Sequence, residues 1–220
     1  MKGRPARRDP LEAAIETALR PGRFIDYRAE SDFVSELGEI RTQIDRLAST
    51  DPERALRLHE SFLAGCYEKA EEVDDSNGYF GQLVDSLYIG WLKARQAKGG
   101  DPDETASLLL DRMENDPYSF TYQIEGEAVK VLHKNGLAAF ERAVRTRFEA
   151  ADGTEQEHRR WGEILRAIYA QQRDVRAYVA LCEQTALSSR DCFTLATIQK
   201  ARRRHEDALA WVERGLSLHR

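Results

Sequence analysis

The sequence predicts an all-α fold. Antiparallel helix pairs should stack as a repeat-like, tetratricopeptide-like, right-handed array of about eleven helices. Three observations predict it. The 220 residues hold 27 Ala and 22 Leu against 9 Val, 9 Ile and 10 Thr. Ala and Leu lose little on entering a helix, whereas β-branched side chains lose rotamer freedom there. Gly and Pro are sparse, at 14 and 6, together about 9% against a usual ~12%. Apolar residues also recur every three or four positions, as one helix face requires.

The elements follow in order. The basic stretch 1–9 reads as a disordered tail. Asp9-Pro10-Leu11-Glu12 opens a helix over 10–20. The Asp oxygen caps free N–H groups, Pro lacks an N–H that would be unpaired anyway, and Glu reaches back. The gap from Pro21 to Glu30 should lie extended, anchored by Phe24, Ile25 and Tyr27. Phe33, Val34, Leu37, Ile40, Ile44 and Leu47 make one face of a helix over 31–49. Asp51-Pro52-Glu53 repeats the opening device for 52–73. Phe80, Leu83, Val84, Leu87, Tyr88 and Trp91 line 78–97, and Asp101-Pro102-Asp103 opens 102–115. Tyr118 to Tyr122 is the best candidate strand, but it runs into a helical pattern, giving a helix over 119–134. Asn135-Gly136 and Asp152-Gly153 read as stops around 137–150, since Gly accepts the left-handed conformation. Trp161, Ile164, Leu165, Ile168 and Tyr169 line 154–172. Helices over 174–186, 189–203 and 206–219 complete the chain. Short linkers make neighbouring helices antiparallel. Asp174-x-x-Ala177-Tyr178-Val179 returns as Asp207-x-x-Ala210-Trp211-Val212, close to the ~34-residue tetratricopeptide period. The organisation expected is a helical domain over 10–150, with helix pairs over 151–220 packed on it as one stack.

The net charge of −5 conceals a gradient. Residues 1–29 carry a net +3, residues 30–155 a net −12 and residues 156–220 a net +4. An acidic body between basic ends attracts basic partners and repels nucleic acid across its middle. Lys200, Arg202, Arg203 and Arg204 form the densest basic run. At a helix C-terminus such cations offset the dipole. They also carry an alternative reading, an accessory nucleic-acid module, although no aromatic platform accompanies them.

Residues 68–78 are the unusual segment. Glu68, Glu71, Glu72, Asp74 and Asp75 lie within eight positions, offset only by Lys69. Glu68 and Glu72 are helix neighbours, and like charges there cost a few tenths of a kcal/mol. Acids at a helix C-terminus also oppose the dipole. One reading is a joint in which Asp75 or Ser76 caps the next helix and Asn77-Gly78 turns the chain. A second is a divalent cation at Glu71, Asp74 and Asp75. A regular EF-hand is excluded, because placing Gly78 sixth puts Val73 first and Val84 twelfth, and neither can ligate. A third is docking of a basic peptide or a second copy of the chain. Tyr67, Tyr79, Phe80, Tyr88 and Trp91 surround the acids. Aromatics beside carboxylates suit peptide recognition, while the same helical spacing also builds a core.

Phe24-Ile25-Asp26-Tyr27, Glu72-Val73-Asp74-Asp75-Ser76-Asn77-Gly78, the helix opened by Asp101-Pro102, and Gly136-Leu137-Ala138 carry a resemblance. They resemble a bacterial family labelled only as a domain of unknown function, over roughly residues 20–150. The Val-Asp-Asp-Ser-x-Gly turn is its most specific part. Related helical regions follow a SWIM zinc finger in other bacterial proteins. The resemblance implies a helical, repeat-like domain and brings no catalytic residues. The Cys and His ligands of the zinc-finger members are absent, so binding of nucleic acid by a finger is not implied.

No apolar run approaches the roughly 18 residues of a membrane span, and the basic start lacks the apolar stretch of a secretory signal. Cys66, Cys182 and Cys192 are far apart, which fits a reducing cytoplasm rather than a disulfide scaffold. His59, His133, His158, His205 and His219 are dispersed, without zinc-ligand spacing. There is no phosphate-binding glycine loop and no nucleophile elbow. Glu125 and Glu127 flank Gly126 on different helix faces, a poor acid/base pair. The sequence therefore points to a non-enzymatic, cofactor-free scaffold. Its acidic and aromatic groove, over residues 60–95, would bind a basic peptide or protein. Glu68, Glu71, Glu72, Asp74, Asp75, Tyr67, Tyr79 and Trp91 are its expected contacts.

Overall fold

A computed structural model describes residues 8–150 and 155–218. Among them are eleven α-helices and no strand. These are α1 (Pro10–Ala18), α2 (Glu30–Leu47), α3 (Pro52–Lys69), α4 (Tyr79–Ala97), α5 (Pro102–Glu114) and α6 (Glu125–Val131). They continue as α7 (Lys134–Ala150), α8 (Glu155–Gln172), α9 (Val175–Thr185), α10 (Ser189–Ala201) and α11 (His205–Ser217). None of the helices described is long and apolar enough to cross a membrane. The chain divides into two compact units. One ends at Ile124 and includes Val131–His133; the other comprises Glu125–Lys130 and the chain from Lys134. The division thus falls ahead of the boundary near 150 expected from sequence.

All three Asp-Pro openings form as caps. Asp9, Asp51 and Asp101 accept N–H groups of Leu11, Arg54 and Glu104 at 3.0, 3.1 and 2.8 Å. Most of the expected basic tail lies outside the described residues. Its last residue, Asp9, is ordered instead, because its carboxylate also takes Arg54 at 2.6 and 2.8 Å.

In the first unit, α3 and α4 are antiparallel. Glu53 meets Lys98, Glu60 meets Trp91 and Tyr67 meets Tyr88, so one helix descends as the other rises. Helices α1 and α3 run parallel, with Asp9 on Arg54 and Leu19 against Gly65. Helices α2 and α4 do the same, with Phe33 stacked on Phe80 and Asp45 against Gly90. Alternate helices therefore share a direction, as stacked hairpins require. The register offset is 45 residues at Asp9–Arg54, longer than the ~34 of a tetratricopeptide repeat. Gly90 allows the closest approach: a Cβ there would overlap the His59 ring and lie 2.8 Å from Asp45 Oδ1.

The segment between α1 and α2 is extended, and Ile25 bridges Val73. Its N–H donates to the Glu72 carbonyl at 2.8 Å, and its carbonyl accepts the Asp74 N–H at 2.9 Å. Of the three side chains expected to anchor it, only Ile25 is buried. Phe24 and Tyr27, at 64% and 50% exposure, face solvent. Successive side chains of an extended segment point opposite ways, and Asp26 then turns the chain by accepting the Arg28 and Ala29 N–H groups.

Three expected elements differ. The helix over 52–73 ends at Lys69 and tightens into a 3-10 turn, Ala70–Glu72. The helix over 119–134 begins only at Glu125. Asp116 prevents the earlier start: its carboxylate takes the Tyr118 N–H, the Thr121 N–H and the Thr121 hydroxyl. Ser119 and Gln123 have φ of 59° and 64°. Asn135-Gly136 does not stop a helix but lies in the first turn of α7. The other expected stop, Asp152-Gly153, lies outside the described residues.

In the second unit α7 and α8 are antiparallel. Phe148 stacks on His158 at 3.9 Å, Arg145 meets Tyr169, and Gln172 donates to Glu141 at 3.0 Å. A buried polar node ties α8, α9 and α10 together. Asp191, 3% exposed, accepts Arg166 Nε at 2.9 Å, the Tyr178 hydroxyl at 2.9 Å and the Ser188 N–H at 2.8 Å. Gly215 brings α11 against Cys192 of α10, leaving Leu209, Val212 and Leu216 exposed.

Candidate functional site

The acidic segment is first a joint. Gly78, with φ of 74°, turns the chain into α4, a left-handed conformation that favours Gly. Asp75 caps that helix, taking the Phe80 and Gly81 N–H groups, each at 2.9 Å. Glu30, wholly buried, reaches the same N-terminus from α2. It accepts the Tyr79 and Phe80 N–H groups at 3.1 and 3.2 Å and the Asn77 amide at 2.9 Å. Two carboxyls therefore share one N–H. Burial pushes the Asp75 carboxyl up, and the Glu30 carboxyl beside it adds to this, to about 6. Burial also works against the Glu30 charge, but hydrogen bonds with Asp75, Asn77, Phe80 and Tyr79 outweigh it and hold Glu30 below its ordinary value.

The remaining acids differ in fate. Glu72 accepts the Gly22 N–H at 2.8 and 3.0 Å and the ammonium of buried Lys69. The Lys69 hydrogen bond is the main cause holding the Glu72 carboxyl below its ordinary range. Asp74 takes Ser76. Glu68 and Glu71 are exposed, and Glu71 accepts the Tyr118 hydroxyl at 3.4 Å. The carboxylates of the cation reading, Glu71, Asp74 and Asp75, thus hold different partners. Among the described residues no group of three His, Cys, Asp or Glu side chains is placed to hold a metal ion.

Beside the joint lies a groove of about 380 Å³ between α3, α4 and α5. Helix α3 contributes Glu60, Leu63, Ala64 and Tyr67, and α5 with its C-cap contributes Leu108, Asp111, Arg112 and Asn115. Each set has the i, i+3, i+4, i+7 spacing of one helix face. Tyr88 of α4 forms the back wall. The Tyr67 and Tyr88 hydroxyls are 2.9 Å apart, and Tyr67 donates to Asp116 at 3.1 Å. Burial, with these neighbours, pushes the Tyr67 phenol far up, so it stays a neutral donor. Trp91 is fully buried and donates to Glu60 at 3.3 Å, while the Arg112 guanidinium lies 4.4 Å over its ring. Tyr67 also packs on Tyr118, the partner of Glu71. One aromatic ring therefore joins the groove to the exposed acids.

Of the residues expected from sequence, Tyr67 lines the groove, Trp91 lies beneath it, and Glu71 connects through Tyr118. Glu68 is exposed one position beyond Tyr67. Tyr79, Asp74 and Asp75 belong to the joint, where Tyr79 is 44% exposed. Glu60, Asp111, Arg112 and Asp116 were missed. The shared stripe on α3 and α5 was the signal that could have found the first three.

The basic run is largely engaged. Arg202 donates to the Arg173 carbonyl at 2.6 Å and Arg204 pairs with Asp207 at 2.6 Å. Arg203 has φ of 60° at the end of α10, and Lys200 is exposed. The three cysteines are free and buried, and burial pushes the Cys182 thiol up to about 11. His59 is wholly buried, with Nε2 3.3 Å from Asp45 but without hydrogen-bond geometry.

A family model described as a family of unknown function (DUF6880) matches residues 13–220. No curated protein and no solved structure matches the chain.

Proposed function

We propose, from the premise that the chain belongs to the DUF6880 family of unknown function, that its N-terminal unit is a non-enzymatic protein-binding scaffold. It takes a basic segment of a partner protein on its acidic and aromatic face. The groove between α3, α4 and α5 carries the reading. Leu63, Ala64 and Leu108 suit the aliphatic stem of a Lys or Arg, which packs on apolar surface while its head stays polar. Glu60 and Asp111 offer carboxylates for the head, and the Tyr67–Tyr88 hydroxyl pair offers further acceptors. Glu68 and Glu71 extend the negative field beyond the rim. The same reading places the protein in a bacterial cytoplasm, where buried thiols stay reduced. It also treats the helix pairs over 151–220 as tetratricopeptide-like and keeps kinship with helical regions that follow SWIM zinc fingers.

Fluorescence anisotropy of a labelled Arg-Ala peptide with the full chain tests this at about 50 and about 200 mM salt. Saturable binding that weakens with salt, and falls about tenfold in Glu60→Gln, is the expected result. Equal binding of an acidic peptide, or an unchanged affinity in Glu60→Gln, would overturn it.

A further inference from the structure

The second unit has a larger groove, about 800 Å³, along the outer face of α9 and the end of α10. Its chemistry is opposite to that of the first. Arg176, Arg202 and Arg204 line it against two acids, Asp174, which caps α9 through the Ala177 N–H, and Glu183. Arg176 and Glu183 are exposed, and neither has an ion pair or hydrogen bond among the described residues. Arg202 and Arg204 each make one bond elsewhere, and a guanidinium has five N–H donors, so both keep donors for a ligand. Val175, Val179 and Ala180 supply an apolar floor.

An independent observation marks the groove as incomplete. Gln199 lines it and is 5% exposed. Its side-chain oxygen is buried without any hydrogen-bond partner. An orphaned acceptor of this kind is destabilising. Because Gln199 lines the groove, a rotation of its amide presents this oxygen to an N–H donor from outside.

We propose that this groove binds an extended acidic peptide. Its carboxylates pair with Arg176, Arg202 and Arg204, and one of its N–H groups meets the Gln199 oxygen. A nucleic-acid backbone fits less well. Phosphate offers no donor to the Gln199 oxygen, and no aromatic side chain lines the groove for a base to stack on. A peptide carries an N–H at almost every residue and can alternate carboxylates with apolar side chains over the valine floor. The eleven residues of α9 span about 16 Å, the length of about five extended residues.

The test is anisotropy of a labelled peptide alternating Glu with Val, about six residues long, against the full chain. A single-stranded oligonucleotide of equal charge serves as comparison. The peptide should saturate and weaken with salt. Gln199→Leu should lose about three- to tenfold in affinity, the loss of one hydrogen bond, while its heat-unfolding midpoint is unchanged or raised. Arg176→Ala, at an exposed position, should weaken binding by a similar factor. Tighter binding of the oligonucleotide would overturn the proposal. So would peptide affinity indifferent to both substitutions, or no saturation at low salt.

Discussion

Replacing Asp75 by asparagine should flatten the pH dependence of stability that this residue causes. Its carboxyl is pushed from 3.8 to about 6 by burial and by Glu30. The folded value exceeds the unfolded one, so folding is favoured when Asp75 is protonated. That contribution is complete below about 4 and is lost as pH rises through about 6. The shift corresponds to about 3 kcal/mol at 1.36 kcal/mol per pH unit. Solvent screening at this half-buried site reduces it to about 1–1.5 kcal/mol. Glu30 behaves in the opposite sense. Its depressed value gives stability that is present above its ordinary 4.5 and lost as pH falls below that range. Between about pH 5 and pH 8 the Asp75 effect therefore stands alone within the pair. An asparagine keeps one oxygen for the Phe80 N–H and can donate its amide to Glu30. Urea unfolding of both proteins at about pH 5 and pH 8 gives four free energies. The wild type should lose about 0.5 kcal/mol more than Asp75→Asn over that interval, since about half of the contribution is already gone at pH 5. Titrations elsewhere cancel in the difference. Equal losses in the two proteins would refute the account of Asp75 as a carboxyl raised by burial and by Glu30.

Other substitutions probe the packing. Gly90→Ala should destabilise by about 1–3 kcal/mol in urea unfolding, because the new methyl meets the buried His59 ring and Asp45 and overpacks the site; a neutral result would mean that α2, α3 and α4 can separate freely. Asp191→Ala should cost about 1–3 kcal/mol, since it leaves the buried Tyr178 hydroxyl without its acceptor and removes the charge partner of Arg166, which keeps Thr185 and Ala186; Asp191→Asn should cost less, by the same measurement. Cys66, Cys182 and Cys192 are buried, and burial raises their thiols. They should resist a thiol-specific disulfide reagent in the folded protein and react once it is unfolded. Fast reaction of any one in the native state would contradict its placement.

Helix identity was legible because its causes are local. Each Asp-Pro opening satisfies an N–H within three residues, and each apolar face repeats within one turn, so Asp9, Asp51 and Asp101 announce α1, α3 and α5 correctly. Asp116 shows where local pattern fails. Its side chain bonds forward to Thr121 and across to Tyr67, 49 residues away, and that competition delays α6. The acidic segment was legible in part: Asp75 caps α4 and Gly78 turns the chain, as the sequence suggested, but the cation and docking readings treated its carboxylates as one outward field. In the fold Glu72 closes on Gly22 and Glu30 arrives at Phe80, both over 50 residues. Glu72 and Asp75 thereby become part of the joint, and the field that faces outward is carried by Glu68 and Glu71. A charge run counts carboxylates but not the N–H groups that distant chain delivers to them. The acids on which the proposed basic-partner site rests were consequently the ones sequence reasoning passed over. Glu60 and Asp111 are single acids on otherwise ordinary helix faces, and they become neighbours only when α3 and α5 line one groove.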